Sequence, residues 1–211
     1  FSNEIGGSLP IDAQQILEEG ITQAKLSFGL GAGEMQLSES TEKDMLVTGS
    51  ISHQTGHESY KEENDKAIYT INSDSPQFYP SQHRWELGLS TQIPLEINAD
   101  MGAGEMDLYM EKIQLERLVV EQGVGQIELR LPDQDTYHVE VSQAIGEIRI
   151  LIPEGTALRV ETSKALSSMD LPQDFSLQGG YYLSPSYQES NESITIMISQ
   201  AIGKIEIEYA K

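Results

Sequence analysis

The sequence predicts an all-β protein: a parallel β-solenoid (β-helix) with about 21 residues per coil, preceded by a less regular β module. Three observations predict it. One phrase recurs five times, as GAGEMQL at 31–37, GAGEMDL at 102–108, GVGQIEL at 123–129, AIGEIRI at 144–150 and AIGKIEI at 201–207. The anchoring residues Gly104, Gly125 and Gly146 stand 21 positions apart, and one further step reaches Ser167 in KALSSMDL, a degenerate copy. On both sides of the anchor, apolar residues alternate with polar ones, the period of a strand and not of a helix.

Residues 1–20 read as a polar linker, FSNEIGGSLP, and a candidate short capping helix, IDAQQILEEG at 11–20, stopped by Gly20. Residues 21–92 form the irregular β module. It opens on a copy around Gly33, flanked by Leu26, Phe28, Met35 and Leu37, while 38–92 carries no clean copy. Strand-like runs at 45–53 and 66–72, with a turn in EENDK at 62–66, make this part partly antiparallel.

Residues 93–211 form the regular solenoid, one continuous body with 21–92. There the second and fourth positions after the anchor are apolar in every unit: Met106 and Leu108, Ile127 and Leu129, Ile148 and Ile150, Met169 and Leu171. A unit with one apolar face buries it only by stacking on its neighbours, equivalent residues lying about 4.8 Å apart. Small corner residues let adjacent backbones approach, and glycine supplies the positive φ of a sharp bend. From Ser167 to Gly203 the step is 36 residues, read as a coil carrying about 15 extra residues. The coil at Gly203 then stands last in the stack, and its edge has to be covered by the N-terminal segment or by another subunit.

The 34 acidic and 13 basic residues leave a net charge of -21, spread along the chain, so nucleic acid is repelled by most faces. With no cysteine, disulfides, thiolate catalysis and cysteine-ligated zinc are excluded. No apolar run approaches the ~20 residues of a spanning helix. Membrane contact is therefore expected only through a segment outside this chain, and the start at Phe1 suggests an upstream targeting or anchoring segment.

The string GLGAGEM invites comparison with dinucleotide loops, but its glycines fall as GxGxG, and a strand follows where a helix would meet the phosphate. His53 and His57 share a strand face ~13 Å apart, too far for one metal, and all four histidines, His83 and His138 included, read as surface residues. EENDK reads as a solvated hairpin tip. No EF-hand, GxSxG or HExxH pattern occurs. No catalytic, cofactor-binding or metal-ligating residue is assigned. The aromatic residues gather in or beside the two insertions. Tyr60, Tyr79 and Trp85 in the first, and Tyr181, Tyr182 and Tyr187 in the second, form either a ligand or partner surface or a satellite core under long loops.

In LSFGLGAGEMQL at 26–37, WELGLSTQIPLEINADMGAGEMDL at 85–108, the even copies that follow, and YYLSPSYQES with ITIMISQAIGKIEI near the end, the chain resembles the bacterial toast-rack family and the related LiaF-like cell-wall-active-antibiotic response proteins. The resemblance covers nearly everything beyond residue 20, and its motifs are motifs of fold. It implies a β-solenoid module attached to membrane segments or secretion signals, in some members implicated in sensing envelope stress, with no catalytic residue to transfer. The expected role is a non-catalytic extracytoplasmic, membrane-tethered or secreted interaction and sensing module of the bacterial envelope. Its expected partners are another protein or a second copy at the solenoid edges, and envelope glycan. The alternative is a polysaccharide-active β-helix enzyme using surface carboxylates. The short chain and its few basic residues count against that alternative.

Overall fold

The computed structural model describes residues 11–52, 56–73, 83–187 and 193–210. Among them there is no helix, and the strands join in a single 13-stranded sheet, so the all-β expectation holds. In chain order the first six are β1 (Ile11–Ile16), β2 (Gln23–Glu39), β3 (Met45–Ile51), β4 (Gly56–Glu63), β5 (Lys66–Ser73) and β6 (Arg84–Leu89). There follow β7 (Leu95–Tyr109), β8 (Leu115–Arg130), β9 (His138–Ile152), β10 (Leu158–Asp170), the short pair β11 (Ser176–Gln178) and β12 (Tyr181–Leu183), and β13 (Ile194–Tyr209).

Each copy of the repeated phrase sits in the middle of a long strand. In β8, beyond its first residue Leu115, the buried residues are Leu118, Val120 and Gln122, then Ile127 and Leu129, so the inward parity switches across Gly123–Gly125 while Val124 faces solvent. Gly125 makes the switch with φ at 146°, a value that L side chains rarely adopt. The bend sends both halves of the strand into one hydrophobic cluster. Burying each such Leu or Ile contributes roughly 1.5–3 kcal/mol. The parallel neighbours are in register, with Gly104 beside Gly125 and Gly125 beside Gly146. The links between long strands are tight: between β8 and β9, the buried Tyr137 donates its hydroxyl to the Pro132 carbonyl at 3.0 Å.

The order of the stack is β2-β7-β8-β9-β13-β10. This corrects the expectation that the strand at Gly203 comes last. Gly203 pairs with Gly146 on one side and with Ser167 on the other, so β13 slots between β9 and β10. The extra residues before β13 hold the β11–β12 hairpin, and β12 pairs antiparallel with β10 at two positions, Arg159 with Leu183 and Val160 with Tyr182.

At β2 the long strand parts company with single partners. Its first half pairs with β5 and its second half with β6, both parallel. The first branch ends in the β4–β5 hairpin, whose tip carries Asn64 at φ 59°, within the EENDK turn. The second runs on through β3 to β1, both pairings antiparallel. The candidate helix at 11–20 is therefore a strand at its start. A single helical turn or two gains little before it must close, whereas β1 finds a ready row of partners on β3 and buries Ala13. Nor does this N-terminal strand cover the far end of the stack, because it lies in the branch beyond β2. His83 is another correction. It is only 6% exposed and is held against the β2 bend, where a Cβ on Gly33 would come within 2.7 Å of the His83 Cβ.

Candidate functional site at the open end of the stack

Two columns of residues run up the bend, and both stop at β10. The first is the glycine column. A Cβ placed on Gly104, Gly125, Gly146 or Gly203 would sit 1.8 Å from the carbonyl oxygen of the preceding glycine in the column. All four have φ between 137° and 146°. The last place belongs to Ser167, which has no positive φ. Ser167 carries a Cβ beside Gly203 because its backbone leaves the positive-φ conformation of the glycines.

The second column is built of amides. Gln143 Nε2 donates to Gln122 Oε1 at 2.6 Å and to the Gly125 carbonyl at 3.1 Å. Gln200 Nε2 repeats this on Gln143 Oε1 at 2.6 Å and on the Gly146 carbonyl at 3.0 Å. The three glutamines are at most 5% exposed, and a buried amide left unmet would be costly. On β10 the same place holds Lys164, which is exposed, so Gln200 Oε1 is buried with no partner. Ser167 Oγ is a second buried atom without one.

Beyond the two pairs made by β12, β10 has no other partner on its outer side among the described residues. Its second half is mostly exposed, and Leu166 is 75% exposed. Leu166 also ends a ridge of apolar residues along the outside of the bend, in register with Ile202, Ile145 and Val124. The first half of β10 is clamped by Ser184, whose hydroxyl accepts from Leu158 N at 2.9 Å and donates to the Thr156 carbonyl at 2.7 Å.

The hairpin and β10 enclose a half-open hollow of about 560 Å³, lined by Arg159, Ser176, Gln178, Tyr181, Ser184 and Tyr187 with a few apolar neighbours. The Arg159 guanidinium lies 3.8 Å from the centre of the Tyr181 ring. Below the hairpin, Phe175 meets Tyr209, whose hydroxyl donates to Asp174 at 3.0 Å. Burial, then that bond to a carboxylate, pushes the Tyr209 phenol up to about 12.

The outward face of the second half-strands is an acidic surface relieved by cations. Arg149 joins Glu208 and Glu128, and Lys204 joins Glu206 and Asp170. Asp107 on this face has a raised pKa, from partial burial first and then from Glu128 and Glu105. No group of three metal-ligating side chains occurs among the described residues, and no helix there is long and apolar enough to cross a membrane.

Residues 6–151 match the family model described as the N-terminal domain of toast_rack, DUF2154, and residues 104–207 match cell wall-active antibiotics response LiaF, C-terminal. The chain belongs to the toast-rack family. Among solved structures, this toast-rack chain is similar to a candidate cell adhesion protein from Clostridium sporogenes, with a TM-score of 0.81 at 22% identity, covering 96% of this chain and 100% of that one. At that identity the likeness is one of fold. A candidate adhesin from Bacteroides fragilis aligns at 10% identity with a TM-score of 0.36, covering 95% of this chain and 98% of that one. No curated protein matches the sequence.

Within the toast-rack chain the six aromatic candidates part ways. Tyr181 and Tyr187 meet in the hollow, with Tyr182 beside them partly buried against the core. Tyr60 packs on the core at the β4–β5 hairpin and donates to Glu62 at 2.8 Å, and burial first, then that carboxylate, pushes its phenol up to about 12. Trp85 is 2% exposed inside the second branch, and Tyr79 lies outside the described residues. The amide column and Arg159 were not singled out from sequence. The column had a signal: SQAIG stands at both 142–146 and 199–203.

Proposed function

We propose that this toast-rack chain is a non-catalytic, extracytoplasmic interaction and sensing module of a bacterial envelope protein, membrane-tethered or secreted, acting in the response to cell-envelope stress. Its body is a parallel β-solenoid of about 21 residues per coil, a reading supported by the 21-residue spacing of the register partners Gly104, Gly125 and Gly146. The response named for the LiaF C-terminal family and the cell adhesion named for the Clostridium sporogenes neighbour both support a place at the envelope.

The observation that carries the reading is the open half of β10. A row of backbone groups over Ser163–Asp170, flanked by an exposed Leu166, is a template for strand addition. The occupant is a strand of another protein, neutral or basic in character, because two chains each carrying -21 repel one another. Light scattering on the purified chain is expected to show a monomer. Hydrogen exchange is expected to be fast at residues 163–170 and to slow when a lysine-substituted copy of the β13 sequence is added as a peptide. A dimer that already protects these amides, or a peptide that protects none of them, would sink the proposal. Turnover in a polysaccharide screen, abolished by one carboxylate substitution, would replace it with an enzymatic role.

A further inference from the structure

Arg159 differs from every other arginine of the chain. Arg84, Arg117 and Arg130 each donate to a carboxylate within 2.8 Å, and Arg149 is paired with Glu208. Arg159 makes no hydrogen bond among the described residues: its Nε is buried without a partner, and its nearest carboxylate, Glu161, lies at 3.8 Å. The guanidinium lies over the Tyr181 ring, its central carbon 3.8 Å from the ring centre, and this contact favours one placement of the group. It stands at the wall of the hollow with its two Nη groups in no hydrogen bond among the described residues.

Among the described residues the lining of that hollow contains this one cation and no carboxylate, in a chain where acids outnumber bases 34 to 13. A local reversal of charge of this kind selects an anion, and a planar guanidinium with free donors matches a carboxylate bidentately. Beside Gly179, Leu183 and Pro185, the described lining offers the hydroxyls of Ser176 and Ser184, the amide of Gln178 and two tyrosines, a mixture that suits the polar edge and apolar face of a hydroxylated ring. About 560 Å³ is the room of a one- or two-ring ligand.

We propose that the hollow between β10 and the β11–β12 hairpin binds a carboxylate-bearing sugar, a uronic acid unit, with its carboxylate on Arg159, its ring against Tyr187 and its hydroxyls on Ser176 and Gln178. This site is separate from strand addition, because it occupies the clamped half of β10 and leaves residues 163–170 free.

The test is calorimetric titration of the intact chain with a galacturonate trimer, a neutral galactose trimer and citrate. The galacturonate trimer is expected to bind at least about tenfold more tightly than either of the others. Arg159→Gln is expected to cost at least about tenfold in affinity for it, Arg159→Lys less, while thermal melts of both variants stay close to the parent. Tyr187→Ala weakens the binding that remains. Equal binding of the neutral trimer overturns the role of Arg159, and equal binding of citrate overturns the sugar. Absence of binding, or an unchanged affinity in a folded Arg159→Gln, overturns the site itself while leaving the exchange test at 163–170 unaffected.

Discussion

Strands β13 and β10 lie side by side and place equivalent residues in the core, yet one is interior and the other is an end. The difference is greatest at the bend, although Thr162 of β10 also stands opposite the buried Ile198 of β13. β13 carries Gln200 and Gly203, the residues that β9 carries as Gln143 and Gly146, and each accepts a further strand on both sides. β10 carries Lys164 and Ser167 at these places. Apolar alternation therefore makes a strand eligible for the stack, the glycine lets it lie close on the strand before it, and the amide offers the oxygen that the next strand's glutamine needs.

The sharpest way to break this contrast is to give an interior bend a side chain. Gly125→Val puts a Cβ 1.8 Å from the Gly104 carbonyl at φ 146°. It is expected to cost more than about 4 kcal/mol, read as loss of the cooperative melt. Gly155→Ala is the control: φ is also positive, at 81°, but nothing lies within 4 Å. That change is expected to cost only about 1–2 kcal/mol in denaturant titration.

Next comes the amide column. Gln143→Leu removes a donor from Gln122 Oε1 and the Gly125 carbonyl and an acceptor from Gln200. A loss of about 2–3 kcal/mol in urea is expected, and a midpoint equal to the parent would show that the column carries no stability.

Making β10 resemble β13 runs the other way. Lys164→Gln sets an amide beside the unmet Gln200 Oε1. It is expected to stabilise by about 1 kcal/mol, with the melting temperature rising accordingly.

The smallest effect belongs to the acidic outer face. The Asp107 carboxyl has a raised pKa in the fold, so between the ordinary value of 3.8 and that raised value the native state holds the extra proton. Stability falls as pH rises through this window, and the whole deficit is present at neutral pH. Asp107→Asn is expected to melt slightly higher than the parent at pH 7, with the advantage disappearing below pH 3.8.

Strand content, the bend at the glycines and the register of Gly104, Gly125 and Gly146 were legible because period and spacing act locally along the chain. The order of the stack was misread from spacing alone. Ser167 follows Gly146 by the regular 21 residues, but neighbours are chosen by fit at the bend, and the shared SQAIG of β9 and β13 recorded that choice. Residues 11–16 misled because a short polar segment has no period strong enough to override the partner it finds on β3. In the hollow, Tyr181 and Tyr187 were legible as insertion aromatics. Arg159 was not, since being without a partner is a property of three dimensions.

The insertion of β13 bears on how the chain is made. A ribosome releases β10 before β13, so for a time β9 offers its bare side to a strand of matching spacing that is not its final neighbour. Lys164 brings no amide to Gln143 Oε1, whereas Gln200 does, so the late arrival gains a bond at β9 that β10 could not make, and it wedges in as a keystone.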